Sequence, residues 1–346
     1  MQTTFASDNF SKVHPHVLRA IEEANNGHAK AYGADPWTEK SEELFRKIFG
    51  EQARSFIVFN GTAANVTIFN HLLSSWQAVI CPESAHVWTD ECGAVQANTG
   101  CSLIPVKGEN GKITPKLCAE ILHGKGVEHH AQPAAISITQ STELGTVYDL
   151  DEIKQIGEFA RQHDLIFHMD GARICNAAAS LQVSLKQMTT DLGVDVLSFG
   201  GTKNGLMGAE AVVFLKQGLS EQFKYVRKQK MQLGSKMRFL SAQMIALLED
   251  NLWLKNATHA NEMAKRLEAS LRRHHPNLEI LYPVQANALF VRLPSMDVLQ
   301  KLQKTTFFWI WDHKNVVARW MTSWDTDVAS IDLFIEKLNQ VLLPTK

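Results

Sequence analysis

The chain has 346 residues, enough for one large domain and a smaller one. Hydrophobic residues make up 45% and charged residues 21%, the balance of an ordinary globular protein rather than of a disordered chain. The 35 Lys and Arg against 36 Asp and Glu leave a formal charge of -1 with no long run of either sign, which argues against a nucleic-acid partner held chiefly through phosphates.

The amino-terminal MQTTFASDNFSKVH lacks a basic region followed by an apolar stretch, so no secretory signal is read there, and no apolar run reaches membrane-spanning length. Its opening residues, polar and broken by Pro15, predict an arm and the start of a first helix over residues 1–25. From about residue 53 short apolar runs recur: SFIVF (55–59), AVIC (78–81), AAISIT (134–139), LIFHMD (165–170), DVLSFG (195–200) and AVVFLK (211–216). Helical patterns lie between several of them; Leu150, Ile153, Ile156 and Phe159 recur every three residues and line one face. This alternation predicts an α/β large domain, 26–244, with a mostly parallel central sheet flanked by helices. Helical pattern resumes near residue 240, with Met263, Leu267 and Leu271 four apart, followed by strand candidates EILYPV, NALFVRL and VVARWMTSW and a helix-like tail. A smaller α+β domain is expected over 245–346.

Cys81, Cys92, Cys101, Cys118 and Cys175 are odd in number, widely spaced and contain no CxxC. They read as small buried side chains in a reducing compartment, so the expected location is cytoplasmic, with neither disulfides nor a bound metal.

Open α/β sheets bind ligands beyond the carboxyl ends of their strands, which gives weight to the polar residues placed there. In FNGTAAN, Gly61 and Thr62 stand where an apolar run meets a helical segment; they serve either as a phosphate seat or as a simple helix cap. In HMDGAR, Asp170 is placed to ligate a metal, to cap the next helix or to hold a ring nitrogen protonated, and Arg173 offers a fork of donors suited to a carboxylate. In GGTKNG, Lys203 sits among small residues, where a confined amine loses its proton readily and forms an imine with an aldehyde. Together these are the parts of a pyridoxal phosphate site. His86, after AVIC, has a ring able to stack on a planar cofactor, and Arg319, alone in an apolar strand, calls for an anionic partner, either a salt bridge or a substrate carboxylate.

The blocks FASDNFS, HAKAYGADPWT, FNGTAANV, AHVWTDECGA, TQSTELGTVY, FHMDGARICNA, DVLSFGGTKNG, SKMRFLSA, LLEDNLW and RWMTSWDT, in that order, resemble the low-specificity L-threonine aldolases of the aspartate-aminotransferase-like, fold type I class of pyridoxal phosphate enzymes. The resemblance implies cleavage of threonine, allo-threonine and related β-hydroxy amino acids to glycine and an aldehyde. It implies Lys203 as the lysine joined to the cofactor, Asp170 as partner of its ring nitrogen, Gly61 and Thr62 as part of the phosphate cradle, and His86 stacked on the ring. Ser7, Arg173 and Arg319 match positions that hold the amino acid's carboxylate, and His129 matches a second active-site histidine near the β-hydroxyl. His86 and His129 are then the two candidates for the base. The family's homotetramers, dimers of dimers with shared active sites, imply that Arg238 reaches the cofactor phosphate of a neighbouring subunit. Two stretches depart from many members: TQSTE, 139–143, stands where they carry an ENTHN-like run, and upstream of it HHAQPA, 129–134, replaces an arginine-bearing segment after the histidine. The competing readings are β-elimination or another amino-acid reaction on the same scaffold, and a non-catalytic assembly protein retaining the fold.

Overall fold

The computed structural model describes residues 4–342; residues 1–3 of the expected arm and 343–346 of the expected small domain lie outside the described residues. All six predicted strands of the large sheet form: β1 (Arg54–Val58), β2 (Gln77–Pro82), β4 (Gln132–Thr139), β5 (Ile166–Gly171), β6 (Val196–Gly200) and β7 (Glu210–Phe214); a further strand, β3 (Ser102–Val106), joins them. The seven strands lie in the order β1-β7-β6-β5-β4-β2-β3. Neighbours are parallel from β6 to β3, whereas β7 runs antiparallel to both β6 and β1. The reason is the length of the link. Only residues 201–209 separate β6 from β7, too few for the crossover that a parallel pair requires.

Alternation along the strands divides the interior in two. Phe167, Met169, Leu197, Phe199, Ala211 and Val213 face one core, shared with the helices Pro15–Ala24, Pro36–Phe49, Leu150–Gln162 and Arg238–Leu248. Val79, Cys81, Ala135, Val196, Val212 and Phe214 face the other, beneath the helix Gly61–Leu72. Both sides of the sheet are therefore covered. The helix Leu150–Gln162 begins with a reciprocal capping box, Asp149 accepting from the Glu152 N–H and Glu152 from the Asp149 N–H, which accounts for its start after the buried Tyr148.

The second sheet is antiparallel throughout: β8 (Glu279–Ile280), β9 (Ala288–Arg292), β10 (Trp309–Asp312) and β11 (Val317–Met321), in the order β10-β11-β9-β8. Its core joins the helix Val328–Leu342 and the later turns of the helix Leu252–His274. That long helix ties the two sheets together, because Trp253 and Ala257 at its start belong to the large core while Ala264, Leu267 and Leu271 belong to the small one. The arm also crosses over. Phe5 is fully buried in the small core, 4.7 Å from the Phe334 ring, and its backbone bonds to Phe307 and Met321. Phe5→Ala is expected to cost about 3–5 kcal/mol. Denaturant unfolding followed through the fluorescence of buried Trp320 checks this, and a loss under about 1 kcal/mol would show that Phe5 is not a core residue.

All five cysteines are free, four of them buried as the sequence suggests, but Cys92 is exposed, on a left-handed turn at φ 52°. Among the described residues no helix is long and apolar enough to cross a membrane.

Candidate active site

The carboxyl ends of β2, β4, β5 and β6 lie side by side and deliver their polar residues to one place. Thr139 ends β4 in register with Asp170 of β5, Gly200 ends β6, and the chain after β2 carries Ser84 and His86. Beyond them a cavity of about 550 Å³ is lined by Lys203, His86, Arg173, Arg319 and Ser7, all expected from the sequence, together with Glu143 and the aromatic edge Trp309 and Trp311 of β10. A larger cavity of about 1380 Å³ lies elsewhere, among His14, Trp37 and Lys255, and contains none of these groups.

The turn that presents Lys203 is held from below. Buried Glu210, the first residue of β7, accepts the Gly201 and Thr202 N–H groups at 2.8 and 3.3 Å. A Cβ at Gly200 would lie 2.4 Å from the Ala172 carbonyl oxygen, so glycine permits β6 to close against the segment after β5. Among the described residues the Lys203 amine has no hydrogen-bond or ion-pair partner. Burial, then the nearby Arg173 charge, lower its pKa, which favours the neutral nucleophilic form.

Asp170 is fixed by two donors: the Ala172 N–H on Oδ1 at 3.0 Å and Asn65 Nδ2 on Oδ2 at 2.9 Å. Asn65, on the first turns of the helix Gly61–Leu72, gives its other N–H to Glu91 Oε1 at 2.9 Å, and Glu91 in turn holds His86 Nδ1 at 3.0 Å. Behind Asn65 the chain of bonds continues. Ser198 Oγ donates to Asn65 Oδ1 at 2.7 Å; its single proton so used, it accepts from His168 Nε2 at 3.1 Å, which leaves Nδ1 to accept from Ser137 Oγ at 2.8 Å. Burial drives His168 down to about 4, so this imidazole is neutral. The His86 pKa is raised, first by its bond to Glu91. Asp170, His168, Ser137 and Ser198 thus form a polar seam on the face of the sheet that Gly61–Leu72 covers.

The two arginines differ. Arg173 presents Nε and Nη2 to Asp8 at 2.7 and 2.8 Å, and Asn287 adds a third donor to the same carboxylate at 3.1 Å. Burial opposes the Asp8 charge, but Arg173 holds its pKa below the ordinary carboxylate range. The fork expected to face a ligand is therefore engaged by an internal acid. Among the described residues Arg319 has no ion-pair partner: Nη2 donates to the Ala6 carbonyl at 3.3 Å, the guanidinium lies 5.5 Å over Trp311, and Nε is buried without an acceptor. Burial and the Arg173 charge bring it down to about 10, against the opposing pull of Asp8 and Asp90, the mark of a cation only partly compensated.

Three expected groups stand apart from the cavity. His129 is exposed beside Glu128, ahead of β4, whose opposite end carries Thr139; the eight residues of that strand put roughly 26 Å between them. Arg238 donates to the Gly27 carbonyl and lies between the Trp37 and Phe239 rings. Gly61 and Thr62 open the helix that carries Asn65, and Thr62 borders a separate cavity of about 220 Å³ with Lys230 and Gln232. Conversely Asp8, Asn65, Glu91 and Glu143 were not singled out from the sequence, although each lies in or beside a motif block quoted for another residue.

The family model for beta-eliminating lyases matches residues 4–294. A low specificity L-threonine aldolase of Pseudomonas sp. (strain NCIMB 10558) is 43% identical over 330 residues, 94% of each chain, and one of Pseudomonas aeruginosa is 42% identical over the same share. Among solved structures, a threonine aldolase of Leishmania major superposes with a TM-score of 0.92 at 27% identity, covering 98% of this chain and 99% of that one.

Proposed function

Because the chain belongs to the low-specificity L-threonine aldolases, pyridoxal phosphate enzymes that cleave threonine or allo-threonine to glycine and an aldehyde, we propose how its own residues divide that work. The observation that carries the reading is Lys203, an amine of lowered pKa without a partner among the described residues, in a cavity that also holds Arg319, whose Nε is buried without an acceptor. The donor set suits the cofactor: an amine for its aldehyde and a fixed carboxylate at Asp170 for its ring nitrogen, while the amino end of the helix Gly61–Leu72, outside the cavity lining but tied to Asp170 through Asn65, would hold its phosphate. Bound there, pyridoxal phosphate withdraws the electron pair left at Cα when a bond to that carbon breaks.

Arg319 holds the substrate carboxylate, with Ser7 beside it, while Arg173 acts from its pair with Asp8 as a fixed positive wall. Pinning the carboxylate would fix the rotation of the substrate about Cα, and so select Cα–Cβ cleavage. His86, held through Glu91 and Asn65, would stack on the cofactor ring. Arg319→Gln should weaken substrate binding by about 2–3 kcal/mol, a rise of roughly 30- to 150-fold in KM for threonine. An unchanged KM would assign the carboxylate elsewhere.

His129 and Arg238 enter this proposal only as contributions from a neighbouring chain, in a homotetramer of dimers. The proposed domains are the arm 1–25, the large domain 26–244 and the small domain 245–346, supported by the two sheets falling either side of residue 245; Phe5 and the helix Leu252–His274 span that division. The free cysteines support a reducing, cytoplasmic setting.

The test is direct. The purified protein is incubated with pyridoxal phosphate and L-threonine or L-allo-threonine, and visible absorbance, glycine and acetaldehyde are measured. Glycine with aldehyde supports the assignment; a keto acid with ammonia would move the reaction to β-elimination, and a protein that takes up no cofactor would revive a non-catalytic role.

A further inference from the structure

Cleavage of a β-hydroxy amino acid requires a group that takes the hydroxyl proton as the Cα–Cβ bond breaks. Of the two histidines considered from the sequence, the chain's own His129 lies at the wrong end of β4, and His86 has Nδ1 committed to Glu91, a bond that favours its cationic form. A base must be an acceptor with a position left open. Glu143 meets that requirement. It lines the same cavity as Lys203, His86 and Arg319. Its Oε1 is fixed by the His86 backbone N–H and the Thr139 hydroxyl, each at 2.8 Å, whereas Oε2 has no partner among the described residues and is shielded from bulk water. Ser84, on the same lining, likewise carries a buried hydroxyl without a partner.

We propose that Glu143 is the catalytic base that exchanges a proton with the substrate's β-hydroxyl. This rests on the substrate placement above, with the carboxylate on Arg319. The hydroxyl proton passes to Oε2, the O–H pair becomes the second bond of the aldehyde carbonyl, and the Cα–Cβ pair remains at the glycyl carbon. A proton delivered to that carbon then completes glycine with no net gain or loss. Burial raises the Glu143 carboxyl to about 7, where it accepts and releases a proton with little penalty. The titratable and charged groups around it are Cys81 near the end of β2, His86 and Asp90 after it, Tyr148 after β4, Asp170 in β5 with Arg173 after it, Lys203 after β6, and Arg319 in β11. Cys81 is pushed up to about 12 and Tyr148 is raised well above its ordinary value, so both stay neutral. Arg173 is already paired with Asp8.

The experiment compares the wild-type holoenzyme with Glu143→Gln. Glutamine keeps an oxygen for the His86 and Thr139 donors but cannot take a proton, so the geometry survives and the base is lost. Two reactions are followed: aldehyde release from threonine, and exchange of the glycine Cα hydrogen in heavy water, which needs the cofactor and Lys203 but no hydroxyl proton transfer. Aldehyde release is expected to fall by roughly 100-fold or more while glycine exchange stays within about threefold. The rise of wild-type aldehyde release with pH through about 7 should flatten in the variant. In the cofactor-free protein, infrared difference spectra should show a carboxyl that deprotonates near that pH in the wild type and is missing from the variant. Parallel loss of both reactions, no loss of either, or absence of that carboxyl signal would overturn the proposal. A wild-type protein that exchanges glycine but releases no aldehyde would instead fail the aldolase reading itself.

Discussion

Lys203→Ala is expected to lower aldehyde release by on the order of 10⁴-fold or more, and to remove the visible absorbance of covalently linked cofactor. The side chain's value lies in its amine alone. Nothing in the turn depends on it, because Glu210 holds the Gly201 and Thr202 N–H groups, Asn204 donates to the Trp253 carbonyl, and Asn256 donates to the Asn204 carbonyl. The variant should therefore fold with an almost unchanged melting temperature, which separates loss of chemistry from loss of structure. Activity within tenfold of the wild type would refute the assignment.

Asp170→Asn should cost about 10²–10³-fold in kcat while cofactor is partly retained. Two consequences follow from the geometry. The fixed carboxylate proposed for the cofactor's ring nitrogen disappears, and an amide offers one acceptor oxygen where the carboxylate offers two, so it satisfies either the Ala172 N–H or Asn65 but not both. Steady-state kinetics with a parallel measure of bound cofactor checks this. A normal rate would remove Asp170 from the electron-withdrawing role.

The strand ends were legible because three chemical groups, Gly61 with Thr62, Asp170 and Lys203, each follow an apolar run, although Gly61 and Thr62 border no part of the cavity that Lys203 lines. What escaped has specific causes. β3 reads SLIPV, and Pro105 weakens a strand signal; the structure accommodates it because β3 is an edge strand paired only with β2. β10 is also an edge, and its WIWD run has no clean alternation. The reversal of β7 is a matter of link length rather than of pattern. Arg173 could be recognised as a fork but not as one already occupied, since Asp8 lies 165 residues away in the chain. Asn65, Ser137, His168 and Ser198 are each unremarkable polar residues in sequence. The available signal was the two-residue period that sets His168 and Asp170 on one face of LIFHMD, and only the facing helix reveals what they meet. Glu143 lay inside TQSTE, noted for its departure from related chains and not for its carboxyl.

The path of the arm reaches beyond packing. Within a few residues it plugs the small core with Phe5, gives its Ala6 carbonyl to Arg319 and clasps Arg173 with Asp8. Both cationic walls of the cavity are thus set by a segment whose anchor, Phe334, lies in the helix Val328–Leu342 on the small-domain side. Variant libraries confined to cavity-lining positions would leave that anchor untouched, although repacking it offers a way to adjust the spacing of the two guanidinium groups without altering either one.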